Sequence, residues 1–80
     1  MAINAYVAMK ISAKEAENIL KTLKKRAFTV SVDAVTGTYD IIALVRASDF
    51  HSLGKIVLDE IASLKGVEDT ETFPIIEFGR

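Results

Sequence analysis

Val35-Thr-Gly-Thr-Tyr-Asp40, followed directly by Ile41-Ile-Ala-Leu-Val45, puts a chain reversal at mid-sequence and launches an apolar run from it. Gly37 can take a positive φ at no steric cost, and Thr36 and Thr38 carry hydroxyls. Asp40 adds a carboxylate where the apolar run begins. By turn chemistry alone this is a β-hairpin: Gly37 reverses the chain and Asp40 starts a strand. It is also the one segment that gathers several polar groups around a bend, which makes it the first place to look for a ligand.

Upstream of the turn the hydropathy alternates with period two. Phe28, Val30, Val32 and Ala34 alternate with Thr29, Ser31, Asp33 and Val35, which predicts a strand rich in β-branched residues. Before it, Ala16, Ile19, Leu20 and Leu23, with Ala27 continuing, form the apolar stripe of a helix. Ser12-Ala-Lys-Glu15 has the capping-box spacing at its start. Lys21, Lys24, Lys25 and Arg26 crowd its last turns, where cations complement the helix dipole. No aromatic interleaves these charges, as a single-strand binder would need, so they read as a solvated face. The chain opens on another alternating strand, with Ile3, Ala5, Val7, Met9 and Ile11 on one face and Asn4, Tyr6, Ala8 and Lys10 on the other.

Downstream, Ile41 to Ala47 is the third strand, mainly apolar on both faces. Ser48 and Asp49 offer caps for a second helix with core positions Phe50, Leu53, Ile56, Val57, Ile61 and Leu64, while Leu58 falls off that stripe. Lys65-Gly66 closes this helix, Gly66 being a natural left-handed stop. A last strand runs from about Val67 to Phe78. Pro74 within it lacks an N–H, which assigns the strand to an edge or a bulge.

The order is βαββαβ, one strand-helix-strand repeat written twice. With right-handed crossovers it gives the α+β, ferredoxin-like plan: a four-stranded antiparallel sheet with two helices on one face. The opposite face ought to be polar in a monomer, yet Tyr6 and Ala8, Ile42 and Leu44, or Ile76 and Phe78 remain there. Leaving several such side chains wet forgoes a few kcal/mol at roughly 25 cal/mol per Å². Face-to-face packing of two sheets, a dimeric α+β barrel or sandwich, removes the deficit.

Composition points the same way. The 80 residues make one domain, 1–80, half of whose residues are hydrophobic, with mean hydropathy +0.28 and no cysteine. Without disulfides or a Cys/His cluster for zinc, oligomerisation is the remaining support for so small a core. A net charge of −1 offers no electrostatic footprint for nucleic acid or an anionic membrane. No apolar run approaches a membrane span and Met1-Ala-Ile-Asn4 lacks a basic secretory start, so the expected compartment is the cytoplasm.

Chemistry for catalysis is sparse. The sole imidazole is His51, beside Asp49 on the first turn of the second helix, where the dipole disfavours its charged form. A dimeric enzyme would depend on it. Glu68, Asp69, Glu71 and Glu77 fall on both faces of an extended strand and make no metal ligand set, and no cofactor is expected.

Two motifs together are more specific. Val35-Thr-Gly-Thr-Tyr-Asp40 with the Ile-Ile-Ala-Leu-Val run, and Leu64-Lys-Gly-Val-Glu-Asp-Thr-Glu-Thr72, resemble the effector domain of the Lrp/AsnC (feast/famine) transcription regulators, also called the RAM domain. The resemblance covers essentially the whole chain. Family members usually carry a helix-turn-helix DNA-binding domain before this module; the sequence here starts at the first strand and is similar to the stand-alone RAM proteins. It departs from the family in Arg26-Ala-Phe28, which has none of the Pro or Gly common after the first helix.

What the resemblance implies is a non-enzymatic sensor of free amino acids that regulates amino-acid metabolism and transcription through ligand-linked oligomerisation. The ligand would lie between dimers, with octamers or decamers as the larger assemblies. Carried over residue by residue, the ligand-binding candidates are Ala34, Gly37, Thr38, Tyr39 and Asp40 from the turn, Thr70, Thr72 and Phe73 from the final strand, and Phe50. Asp40 would accept from the ammonium, turn N–H groups and threonine hydroxyls would donate to the carboxylate, and Tyr39 or Phe73 would line the side-chain end. The rival expectation is a ligand-free module docking on full-length Lrp/AsnC regulators. ACT domains share the strand-helix order and also bind amino acids, so the fold alone does not separate the two families.

Overall fold

A computed structural model describes residues 2–77. Strand β1 is Ile3–Ile11, helix α1 is Ala16–Lys24, β2 is Thr29–Ala34 and β3 is Ile41–Ala47. Helix α2, Phe50–Lys55, continues as a π-helical segment over Ile56–Ile61, and β4 is Val67–Pro74. The expected end of the last strand at Phe78 lies outside the described residues. The strands form one antiparallel sheet in the order β2-β3-β1-β4, the ferredoxin-like arrangement. Pro74 therefore stands on an edge strand, where its missing N–H costs no ladder bond.

The core is the face that period two selects. Ala5, Val7 and Met9 of β1, and Ile41, Ala43 and Val45 of β3, are fully buried together with Leu23 of α1 and Ile61 of the π-helical segment. These residues join Ile19 and Leu53 in one cluster, so both helices lie on the same side of the sheet. Each large side chain fully removed from water contributes about 1.5–3 kcal/mol, enough for this layer to set the sheet's register.

Four local expectations give way to packing. The Ser12–Glu15 capping box does not form: Ala13–Glu15 is a single 3₁₀ turn, Glu15 N–H donates to the Ser12 main-chain carbonyl, and no side chain caps the helix. Glu15 is held elsewhere, packed against Gly66, whose carbonyl accepts from Ser12 N–H at 2.8 Å. A bulge between Thr29 and Ser31 breaks the alternation of β2, which leaves Val30 at 58% exposure instead of in the core. Ala27 falls beyond the end of α1 and is exposed. Phe50, an expected core position, is the first residue of α2 and is 66% exposed.

The remaining punctuation behaves as its chemistry requires. Asp49 caps α2 by accepting from Ser52 N–H at 2.7 Å. That bond, stronger to the ionised carboxylate than to the neutral acid, holds the Asp49 carboxyl below the usual carboxylate range. Gly66 has the expected positive φ, +97°, but it does not stop the helix: the helical segment already ends at Ile61, and Gly66 turns the chain into β4. Leu58 lies off the buried stripe at 69% exposure.

Candidate functional site

The segment between β2 and β3 is pinned by main-chain and carboxylate bonds. Val35 N–H donates to Asp40 O at 2.8 Å, which closes the loop on itself. Asp40 N–H then donates to Met9 O at 2.9 Å, and Asp40 Oδ2 accepts from Ile11 N–H at 3.0 Å. Asp40 thus extends the β1–β3 pairing past its last in-register pair, Met9 with Ile41, and satisfies the Ile11 amide just beyond it. Gly37 has φ +129° with open space where a Cβ would sit, so conformation and not crowding calls for glycine there.

Tyr39 leaves the turn in the direction of β4. Its hydroxyl donates to Glu71 Oε1, so the phenol reaches past β1 to the far edge strand. This bond, the cost of desolvation, and the negative charges of Glu71 and Asp69 all push the Tyr39 hydroxyl above its ordinary pKa, keeping it a donor.

Register divides the β4 residues between two faces. Thr70 pairs with Met9 and Thr72 with Val7, so both threonines are on the helix side, half-buried. Glu71 pairs with Ala8 and Phe73 with Tyr6, on the open side. One chain therefore brings Gly37, Thr38, Tyr39 and Asp40 to the end of the sheet where Thr70 and Glu71 stand. It does not bring Thr70 and Thr72 onto the face that carries Phe73. Ala34, paired with Ile41, sits exposed at the entry to the turn. Phe50 follows the opposite end of β3, roughly 20 Å from the turn at strand rise. There it borders a groove of about 630 Å³ with Ile3, Arg46 and Ile75.

The open face carries Tyr6, Ile42 and Leu44 around the buried Ala8, with Phe73 on the edge strand. Tyr6 and Phe73 are 45% and 46% exposed, and Ile75 and Ile76 extend the apolar surface toward the end of the described chain. Other concavities are lined by residues outside the turn, although one of about 210 Å³ includes Asp69 and Thr70 beside it. One of about 480 Å³ is lined by Arg26, Phe28, Lys55, Ile56 and Glu60, and the Arg26–Glu60 ion pair at 3.2 Å spans its wall. His51 is exposed, and the Asp49 carboxylate turns to the Ser52 amide. Among the described residues no group of three or more His, Cys, Asp or Glu is placed to hold a metal ion, and no helix is long and apolar enough to cross a membrane.

Glu71 is the neighbour of the candidate turn that sequence reasoning left out. Its partner is 32 positions away, and in sequence it reads, with Glu68, Asp69 and Glu77, only as part of a metal ligand set that does not form. The available signal was the spacing of Asp69, Glu71 and Phe73, which puts all three on the face opposite Thr70 and Thr72.

Comparisons with known proteins agree with this fold. The Lrp/AsnC ligand binding domain pattern matches residues 4–78. The HTH-type transcriptional regulator FL11 of Pyrococcus horikoshii is 30% identical over 73 residues, 91% of this chain and 48% of that regulator. This chain thus spans about half the length of such relatives. The crystal structure of TTHA0845 from Thermus thermophilus superposes with a TM-score of 0.88 at 33% identity, covering 94% of both chains. The L-Met complex of the transcriptional regulator NMB0573 from Neisseria meningitidis has a TM-score of 0.88 at 21% identity, over 98% of this chain and 52% of that one, a likeness of fold.

Proposed function

This chain belongs to the Lrp/AsnC ligand binding domain family, and from that premise we propose that it senses free amino acids in a site completed by neighbouring protomers. The observation that carries the reading is the pinned turn. Gly37, Thr38 and Tyr39 present main-chain N–H groups, Thr38 a hydroxyl and Asp40 a carboxylate on a rim beside β4. An α-amino acid carries an ammonium and a carboxylate on one carbon, so acceptors and donors a few ångströms apart match it. Asp40 Oδ1 is the acceptor left over after Oδ2 takes the Ile11 amide. NMB0573, of the same fold, is a protein crystallised with L-Met.

The rim is open, and a ligand held on it from one side would remain largely in water. A second protomer closes it. The apolar open face supplies the reason to pair: Tyr6, Leu44 and Phe73 lose contact with water when two sheets meet, at roughly 25 cal/mol per Å² buried. Dimers then bring several turns and β4 strands within reach of each other, and ligand favours whichever assembly completes the site. Regulation follows from that linkage, with no catalytic role for His51 and no direct hold on nucleic acid.

Titration of the wild-type protein with each of the twenty amino acids, read by melting temperature and by native mass spectrometry, tests this. The expected result is a rise of several degrees with one or a few, accompanied by a change in assembly. No response to any of the twenty would defeat the sensor reading in favour of a module that acts by docking alone.

A further inference from the structure

The Tyr39–Glu71 bond joins the two segments that the proposed site requires, and it does so inside one chain. Tyr39 belongs to the turn, Glu71 to the edge strand β4, and β1 lies between their strands in the sheet. Glu71 stands between Thr70 and Thr72 in sequence but on the opposite face, paired with Ala8. Ala8 is also paired with Ile42, next to the turn, and is only 2% exposed on a face with no helix over it. So small a residue at that level leaves the path between turn and edge strand clear for the phenol.

The turn has few other ties. Its anchors at Val35 and Asp40 are at the two ends, and Gly37 touches nothing where a side chain would be. Thr36, Gly37 and Thr38 are exposed. The Tyr39 hydroxyl is thus the side-chain link that fixes the turn's tip relative to β4.

We propose that Glu71 is a positioning residue of the ligand site: by accepting from Tyr39 it sets the Val35–Asp40 turn against β4 before the ligand arrives. The inference rests on the sensor reading above and adds to it the residue that preorganises the site. Ordering the turn in advance spares the ligand that cost, so losing the link weakens binding without removing a ligand contact. The carboxylate acts here as a hydrogen-bond acceptor for a neutral phenol. A glutamine in its place keeps an acceptor; an alanine does not.

Four variants decide it: Glu71→Ala, Glu71→Gln, Tyr39→Phe and the double variant Glu71→Ala with Tyr39→Phe, each measured for affinity by calorimetry with whichever of the twenty amino acids binds the wild type. Amide hydrogen exchange across Gly37–Asp40 is followed in the ligand-free proteins. Glu71→Ala is expected to weaken binding about threefold to tenfold, the loss of one hydrogen bond, and to speed exchange in the turn. Glu71→Gln should stay within about twofold of wild type in affinity and match it in exchange. Adding Tyr39→Phe to Glu71→Ala should cost no more than Tyr39→Phe alone, because both remove the same link. Unchanged exchange in Glu71→Ala, or equal losses in Glu71→Ala and Glu71→Gln, would overturn the positioning role. A wild type that binds no amino acid would defeat the sensor reading, and with it the ligand part of this proposal, whatever the exchange rates show.

Discussion

The Asp40 carboxylate accepts from the Ile11 amide at 3.0 Å, tying a loop residue to a strand 29 positions earlier. This bond gives Asp40 a structural task that is separate from any ligand. Asp40→Ala leaves a partly buried amide without its acceptor and should cost about 1–2 kcal/mol in urea unfolding with no ligand present. Asp40→Asn keeps an acceptor and should recover most of that loss. If the alanine variant unfolds at the wild-type urea concentration, the bond contributes nothing to stability.

The glycines rank by what surrounds them. A Cβ at Gly66 would sit 2.5 Å from Glu15 Cβ and Cγ at φ +97°, so Gly66→Ala faces both a collision and a strained backbone and should cost more than about 2 kcal/mol. Gly37→Ala meets only the φ penalty, since the space is empty, and should cost about 1 kcal/mol. Gly54 lies inside α2 with room for a Cβ, so Gly54→Ala should stabilise by about 0.4–1 kcal/mol. Thermal melts of the three variants should fall in that order, and any other ranking would contradict the local geometry.

Acid sensitivity should trace in part to the cap of α2. The folded-state pKa of Asp49 is lowered by its bond from the Ser52 amide, so this contribution is present above the unfolded carboxylate value and is lost as pH falls through the folded one. Asp49→Ala should lower the melting temperature at neutral pH, and the gap from wild type should narrow as the solution is acidified below about pH 4. A gap that stayed constant with pH would mean that the charged cap is not what stabilises the helix start.

Assembly should depend on the uncovered sheet face. Phe73→Asp places a charge on the edge of that face, opposite Tyr6, without touching the buried cluster. The variant should keep its far-ultraviolet spectrum and shift sedimentation equilibrium toward the single chain. Unaltered sedimentation would move the pairing surface elsewhere, with Leu58 on the helical side the next exposed apolar residue to change.

Period two was readable because one face of each strand is buried. Ala5, Val7, Met9, Ile41, Ala43 and Val45 all land where alternation puts them, and that parity, with one helical stripe between strands, is enough for the sheet order. The signal weakened wherever an element met something remote. Val30 is thrown outward by a bulge whose register is set by β3, and Glu15 abandons its expected cap because Gly66 comes against it from the far end of the chain.

The sequence by itself determined the fold, the exposed apolar face and the glycine turn, since each follows from residue types at fixed local spacing. Only the tertiary structure decided what the turn's polar groups do. Asp40 reaches Ile11 and Tyr39 reaches Glu71 because sheet order lays β1 beside β3 and β4 just beyond β1, and a hydrogen bond between residues 29 or 32 positions apart leaves no trace in local pattern. Local spacing encodes which way a side chain faces; the neighbour it meets is chosen by how the strands are laid side by side.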